Sequence, residues 1–363
     1  MVRPTKRRSR AAFTLVELMV ATGVTVILAV ALFAFSAQCS ESLRAARSAV
    51  DEMQVAQRAF ETITHRIGQA TLNNYWDSIL SKRGARWSYE RMSELRFACG
   101  PMQCGANPLD SAEAKSERMH PGHGIFFQAA TGYTGNTRDP ALAGLENLVN
   151  TLGYFVEAGP DELKAPNCIP PQLVARRIAP RLMELREPAQ RLNIYGLTSG
   201  KPDYAGLEWL RKPLEDRTQV RVVVENVVAL VILPKLTAQE TSRLRPGGTK
   251  EECDSLLAPQ LFYHSGTNPP ANIAPAQNMR HRLPAMVEVT MVALDAASVA
   301  RLYRPDELDP LKLRDAFCDA RELREELFFD PAHPARDSLE RRLIDARAKY
   351  RLFTATVPIR SAQ

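Results

Sequence analysis

Only one apolar run among the 363 residues is long enough to cross a bilayer, which excludes a multi-span transporter. Internal repeats and low-complexity tracts are lacking. With 45% hydrophobic and 24% charged residues, the composition is that of a folded chain and not of a disordered tail. Catalytic signatures are equally scarce. Gly196-Leu197-Thr198-Ser199-Gly200 sets its serine one position late for a nucleophile elbow, Gly247-Gly248-Thr249-Lys250 lacks the leading glycine spacing of a phosphate loop, and no dinucleotide fingerprint occurs. The six histidines are scattered. His120-Pro121-Gly122-His123 reads as a turn with no acidic or cysteine partner at ligand spacing, while His65, His264, His281 and His333 read as solvent-facing or singly hydrogen-bonded. Carboxylate pairs such as Asp161-Glu162, Glu251-Glu252 and Glu325-Glu326 fit solvated faces. No catalytic residue, metal or cofactor is expected, and the chain reads as non-enzymatic.

A net charge of +6 would suit a nucleic-acid partner if it were spread over a surface. Five of the cations, Arg3, Lys6, Arg7, Arg8 and Arg10, instead precede every acidic residue. Without them 42 basic side chains face 41 acidic ones, so the body is nearly neutral and no nucleic acid is expected as a partner.

The apolar run is Phe13 to Ala37, 25 residues with a single charge, and as a helix it spans about 37 Å. Its basic upstream flank predicts a cytoplasmic N-terminus and an exported body. Three other N-terminal readings compete. A cleavable secretory signal would use Ala34-Phe35-Ser36 at the end of a rather long run; a lipoprotein site would want a small residue before Cys39, where Gln38 stands; a twin-arginine signal has only the bare Arg7-Arg8 pair. The one charge in the run is Glu17, a carboxylate whose insertion costs roughly 2.5 to 3.5 kcal/mol and which is either functional or snorkels to the near interface.

In Arg10-Ala11-Ala12 followed by Phe13-Thr14-Leu15-Val16-Glu17, the chain resembles the type IV prepilin family. That resemblance implies cleavage by a membrane prepilin peptidase between Ala12 and Phe13, N-methylation of Phe13, and pairing of Glu17 with the amine of a neighbouring subunit. The family usually carries Gly before the cut, where this chain has Ala12. An amine and a carboxylate that meet in a lipid-like setting compensate each other's desolvation.

Downstream, Leu43, Ala46, Val50, Met53, Gln57, Phe60, Thr64 and Ile67 recur at spacings of three and four. They predict a helix running unbroken from Phe13 to about Leu72, roughly 90 Å long. The expected organisation is a basic leader over 1–12, a transmembrane segment over 13–37, a continuing helix over 38–72 and an exported head over 73–363. The fold class is α+β, with a sheet-rich head and long loops. Strands are predicted over Glu94–Ala98, Gly124–Gln128, Gly153–Ala158, Arg181–Glu187, Val220–Val224, Val227–Leu233, Ala285–Leu294 and Tyr350–Ile359. In the seventh, Val287, Val289, Met291 and Ala293 alternate with Glu288 and Thr290 as in a half-buried antiparallel strand; in the last, Phe353, Ala355, Val357 and Ile359 share a face and Pro358 marks an edge. Helices are predicted over Leu311–Leu327 and Arg336–Ala348, with irregular stretches at Thr131–Leu148, Lys235–Met279 and Arg301–Pro334.

That order of elements is similar to the minor pseudopilins J of type II secretion. It is more closely similar to the prepilin-like Verru_Chthon cassette protein C family, through Leu152-Gly153-Tyr154-Phe155-Val156, Arg181-Leu182-Met183-Glu184, Glu225-Asn226-Val227-Val228-Ala229-Leu230, Val287-Glu288-Val289-Thr290-Met291-Val292-Ala293 and Tyr350-Arg351-Leu352-Phe353. The resemblance implies an inner-membrane, single-pass subunit with a periplasmic head, whose partners are other prepilin-like subunits, the peptidase and lipid. Some pseudopilin heads bind calcium, but no ligands stand out here. The alternative is a signal-anchored envelope binding module or enzyme with an uncut helix. Of six cysteines, Cys99 and Cys104 flank Gly-Pro-Met-Gln, a turn-like loop that a disulfide could close, and the remaining connectivity stays open.

Overall fold

In this computed structural model the described residues are 14–80, 87–103, 108–110, 118–134, 148–160, 178–192, 196–198, 201–203, 206–244, 257–258, 261–266, 280–304, 307–314, 317 and 339–362. The chain divides into two compact units, Met1–Glu52 and Met53–Gln363. Helix α1, Leu15–Ile67, contributes to both.

In the first unit the large apolar side chains from Leu15 to Phe35 are all solvent-exposed, between 51% at Val24 and 76% at Phe33. None of the described residues covers them. Length and composition make this one helix capable of crossing a membrane.

In the second unit the last turns of α1 bury Ala56, Ala59, Phe60, Ile63 and Ile67, with Met53 partly buried against the same core. The buried stripe differs from the predicted one. Gln57 is exposed and Thr64 only half-buried, and Ala56, Ala59 and Ile63 take their places. Apolar surface decides that rotation, because burying the Gln57 amide would need partners that methyl groups do not. The helix also stops at Ile67, short of Leu72: Gly68, Gln69 and Ala70 close a tight turn, and the Thr71 N–H donates to the Gln128 carbonyl at 2.9 Å.

The strands follow in antiparallel order. A hairpin of β1 (Tyr75–Leu80) and β2 (Trp87–Met92) forms a two-stranded sheet of its own. Next come β3 (Phe97–Pro101), β4 (His123–Ala130), β5 (Val149–Pro160) and β6 (Ile178–Arg186), then the small hairpin β7 (Gly196–Thr198) and β8 (Lys201–Asp203). Helix α2 (Glu208–Asp216) precedes β9 (Val220–Glu225) and β10 (Val227–Lys235). Helix α3 (Ala238–Leu244), β11 (Tyr263–His264), β12 (Met286–Leu294), α4 (Ala296–Leu302), α5 (Leu339–Asp345) and β13 (Tyr350–Pro358) complete the described elements.

Six strands make one sheet in the order β11-β3-β4-β5-β6-β9, and three make another, β10-β12-β13. Asn226 is the whole connection between β9 and β10, and it sends the chain from one sheet to the other. Its φ of 64° is the left-handed conformation that asparagine tolerates better than most residues. The Asn226 N–H donates to the Pro180 carbonyl, and its own carbonyl accepts from the Leu294 N–H.

Seven of the eight predicted strands coincide in place with β4, β5, β6, β9, β10, β12 and β13, and the first, Glu94–Ala98, overlaps β3 only at Phe97 and Ala98. Two details differ. β12 is buried on both faces, since Glu288 and Thr290 are only 5% and 2% exposed and Val292 and Leu294 join a second apolar cluster. The buried charge is compensated by Lys235, which forms an ion pair with Glu288. The hairpins were not anticipated, because Asp77, Glu90 and Arg91 interrupt β1 and β2 with charge. Pro358 ends the edge strand β13. The Arg336–Ala348 helix corresponds to α5, whereas most of Leu311–Leu327 lies outside the described residues.

Ile63 is 1% exposed in the main core and Val50 is 55% exposed. Ile63→Ala should lower stability by about 2 to 5 kcal/mol, while Val50→Ala changes it by no more than about 0.5 kcal/mol. Denaturant melts of the detergent-solubilised chain followed by circular dichroism check both.

Candidate functional site

Ala12 and Phe13 lie outside the described residues; the sequence-predicted site therefore begins at Thr14. Thr14 precedes the first residue of α1, and Glu17 stands three positions further on. The Thr14 N–H and hydroxyl both donate to Glu17 Oε2 at 3.0 Å, and the Glu17 N–H donates to Thr14 Oγ1 at 3.3 Å. This is a reciprocal capping box. It satisfies helix-end donors and gives the carboxylate two hydrogen bonds, but it leaves the negative charge uncompensated. The signal was available in Thr14-Leu15-Val16-Glu17, a Ser/Thr-x-x-Glu pattern ahead of an apolar run. The same device recurs in the head, where Thr237 and Glu240 open α3 with bonds of 2.9, 2.9 and 3.2 Å.

Cys99 is fully buried on β3, and burial pushes its thiol far up from its ordinary value. Cys104 lies outside the described residues.

The head carries two ionic clusters that were not read from the sequence. In the first, His120 stands between two carboxylates, with Nδ1 2.9 Å from Asp110 Oδ2 and Nε2 3.1 Å from Glu157 Oε2. Arg217 grips Glu157 with two bonds of 2.7 and 3.1 Å, and Gln103 accepts from the His120 N–H at 3.0 Å. The expectation of a turn without acidic partners fails because the partners come from other segments: Asp110 from before the turn and Glu157 from β5. With both ring nitrogens facing carboxylates, a doubly protonated imidazole donates to each. Burial opposes that charge, but the hydrogen bonds and fields of Asp110 and Glu157 outweigh it and raise the His120 pKa. Glu157 is likewise penalised by burial, yet His120 and Arg217 bring it down to about 2. Asp110, His120, Glu157 and Arg217 together carry no net charge, which is how four ionised groups persist in a buried site.

The turn itself is tightly built. Gly122 has φ of 88°, and a Cβ there would come within 2.9 Å of the Leu230 carbonyl oxygen. His123 is fully buried, its Nδ1 lies 3.0 Å from the Ile232 carbonyl oxygen and 3.2 Å from the Ile232 nitrogen, and burial lowers its pKa to about 4. His65 is solvent-facing and His281 is buried with a single side-chain hydrogen bond among the described residues, from the Ser93 N–H at 3.0 Å, as expected of one or the other; His264 is buried as well, and His333 lies outside the described residues.

The second cluster centres on Glu184 of β6, which is 2% exposed. Tyr154 of β5 donates its hydroxyl to Glu184 Oε1 at 2.8 Å, Arg66 from the last turn of α1 pairs with the same oxygen, and Arg221 of β9 donates Nε to Oε2 at 2.6 Å. Among the described residues no group of three or more His, Cys, Asp and Glu is arranged to hold a metal ion.

Glu187, which follows β6, has Oε2 buried with no hydrogen-bond partner, and burial raises its pKa to about 7. Raised values for Glu187 and His120 mean stability that is complete at low pH and lost as pH rises through them. The lowered value for Glu157 means stability present above about 4.5 and lost on acidification toward 2. The lowered values for His123, His264 and His281 cost stability on acidification from 6.5 toward about 4, opposite in sign to Glu187 and three against one, so the unfolding free energy of the head should rise from pH 3 to about 6.5, and Glu187→Gln should steepen that rise between pH 4.5 and 7. Urea melts of both chains across pH 3 to 9 measure it; identical pH profiles for the two would contradict the assignment to Glu187. No family model, curated protein or solved structure matches this chain.

Proposed function

We propose that the chain is a non-enzymatic, prepilin-like subunit: a short cytoplasmic leader, one helix held in the inner membrane, and an α+β head on the periplasmic side that co-assembles with other pilin-like proteins. The observation that carries the reading is an ionisable carboxylate, Glu17, in the first turn of the one long, exposed apolar helix. Its local bonds to Thr14 leave a full negative charge to be met inside lipid, and the free amine of a neighbouring subunit cut before Phe13 is a fitting partner. The exposure of the large apolar side chains from Leu15 to Phe35 among the described residues agrees with a segment stored in the bilayer and later packed against sister helices. A second reading, an uncut signal anchor bearing a binding module or enzyme, is favoured by Ala12 in the place of the usual Gly.

Two substitutions separate the roles of Glu17. Glu17→Gln keeps a residue that can close the capping box but removes the charge, and Glu17→Ala removes both. Both variants should insert normally, and both should lose most of the co-purification with sibling prepilin-like proteins. If Glu17→Gln co-purifies like the native chain, Glu17 is a helix cap only and the pairing is wrong. N-terminal sequencing bears on the second reading: methylated Phe13 supports a processed subunit, and an intact Met1 supports either the anchor or an uncut pilin-like subunit, which the co-purification of the Glu17 variants then separates.

A further inference from the structure

The cluster around Glu184 holds more positive charge than its carboxylate can balance. Tyr154 and Glu184 lie directly opposite each other in the β5–β6 register, and Glu184 lies opposite Arg221 in the β6–β9 register. Arg186 is two residues beyond Glu184 on the same strand and so shares its face of the sheet. Among the described residues, three guanidinium groups, of Arg66, Arg186 and Arg221, therefore converge where there is one carboxylate. The side chains of Arg66 and Arg221 are 26% and 54% exposed, so solvent and solutes reach the cluster.

Arg186 is the residue the fold does not need. Its guanidinium stacks 4.2 Å from the centroid of the Tyr133 ring and makes no hydrogen bond among the described residues; its Nε is buried without a partner. Burial, and after it the field of Arg66, lowers its pKa; Glu184 and Tyr133 oppose the shift without reversing it, and Arg221 adds to it. Glu187, its neighbour in sequence, does not offset this, because its own surroundings are Arg191 and Asp216. Tyr133 is a fixed platform. Its N–H donates to Asn150 Oδ1 at 2.9 Å and its carbonyl accepts from Asn150 Nδ2 at 2.7 Å. Ring stacking uses the flat face of a guanidinium and leaves the in-plane donors open for an oxyanion.

We propose that Arg186, Arg66 and Arg221 form a binding site for a phosphate-bearing ligand, with Arg186 as its anchor. Two uncompensated charges suit an anion that carries nearly two, as a phosphate monoester does at neutral pH. A carboxylate supplies only one, a role that Glu184 already fills. The phosphate belongs either to a soluble ligand or to a lipid headgroup. The site is separate from Glu17 and from the assembly reading.

Calorimetry on the full detergent-solubilised chain, with inorganic phosphate against sodium chloride of equal ionic strength, tests it. Phosphate should bind the native chain, and Arg186→Gln should weaken it by about tenfold or more. The control Arg351→Gln removes a guanidinium that stacks 5.3 Å from the Phe353 ring on the other sheet and should change nothing. Because the Arg186 side chain makes no hydrogen bond among the described residues and is repelled by Arg66 and Arg221, Arg186→Gln should melt close to the native chain in chloride. If it misfolds, Arg221→Gln, which leaves Arg66 on Glu184, should weaken phosphate by about fivefold. Nanodiscs separate the sources: inclusion of phosphatidic acid lowers phosphate affinity relative to phosphatidylcholine discs if a headgroup occupies the site, and leaves it unchanged if the ligand is soluble. Equal phosphate binding by the native chain and Arg186→Gln, or acetate binding as tightly as phosphate, overturns the proposal.

Discussion

An ionised side chain taken out of water must meet opposite charge and hydrogen bonds nearby, or it will not stay ionised. That constraint governs the membrane-type helix and the head alike. At three carboxylates of the head it is met within the chain. Glu157 is held by His120 and Arg217, Glu184 by Arg66, Arg221 and Tyr154, and Glu288 by Lys235. At Glu17 the described residues supply two hydrogen bonds, both from Thr14, and no cation. The contrast between these paired carboxylates and the acid at the helix start is what motivates the assembly reading.

The same ion clusters tie the head together across long stretches of chain. Arg66 and Glu184 are 118 residues apart, and Arg217 and Glu157 are 60 apart. Around them lies an apolar core to which α1 and both sheets contribute. Alanines at 56 and 59 let the helix backbone approach the sheets, and Phe60 meets the Phe353 ring with centroids 5.8 Å apart. The last turns of α1 thus belong to the head's core as fully as any strand does.

Two features point outward. One is the Arg186 cluster. The other is the hairpin β1–β2, where Trp76, Trp87 and Tyr89 are 71%, 67% and 75% exposed, although the third tryptophan, Trp209, is 2% exposed in a core. By register and alternation the three exposed rings share one face of that sheet. Exposed aromatic faces of this kind are places where proteins meet other molecules.

Much of the plan was legible in one dimension. The apolar run, its lone acid and the eight apolar strand segments each announce themselves through composition and period, because burial on one side of a helix or strand repeats every few residues. The Thr14–Glu17 cap was equally readable from its spacing. Tertiary structure alone decided the rest: which of two overlapping stripes α1 buries, that β12 is covered on both faces, and which distant charges meet. Periodicity shows which side of an element avoids water but not what lies across from it. Only strand order and register set Tyr154 beside Glu184 and Arg221 opposite it, and only the fold brought Asp110 and Glu157 to the two nitrogens of His120.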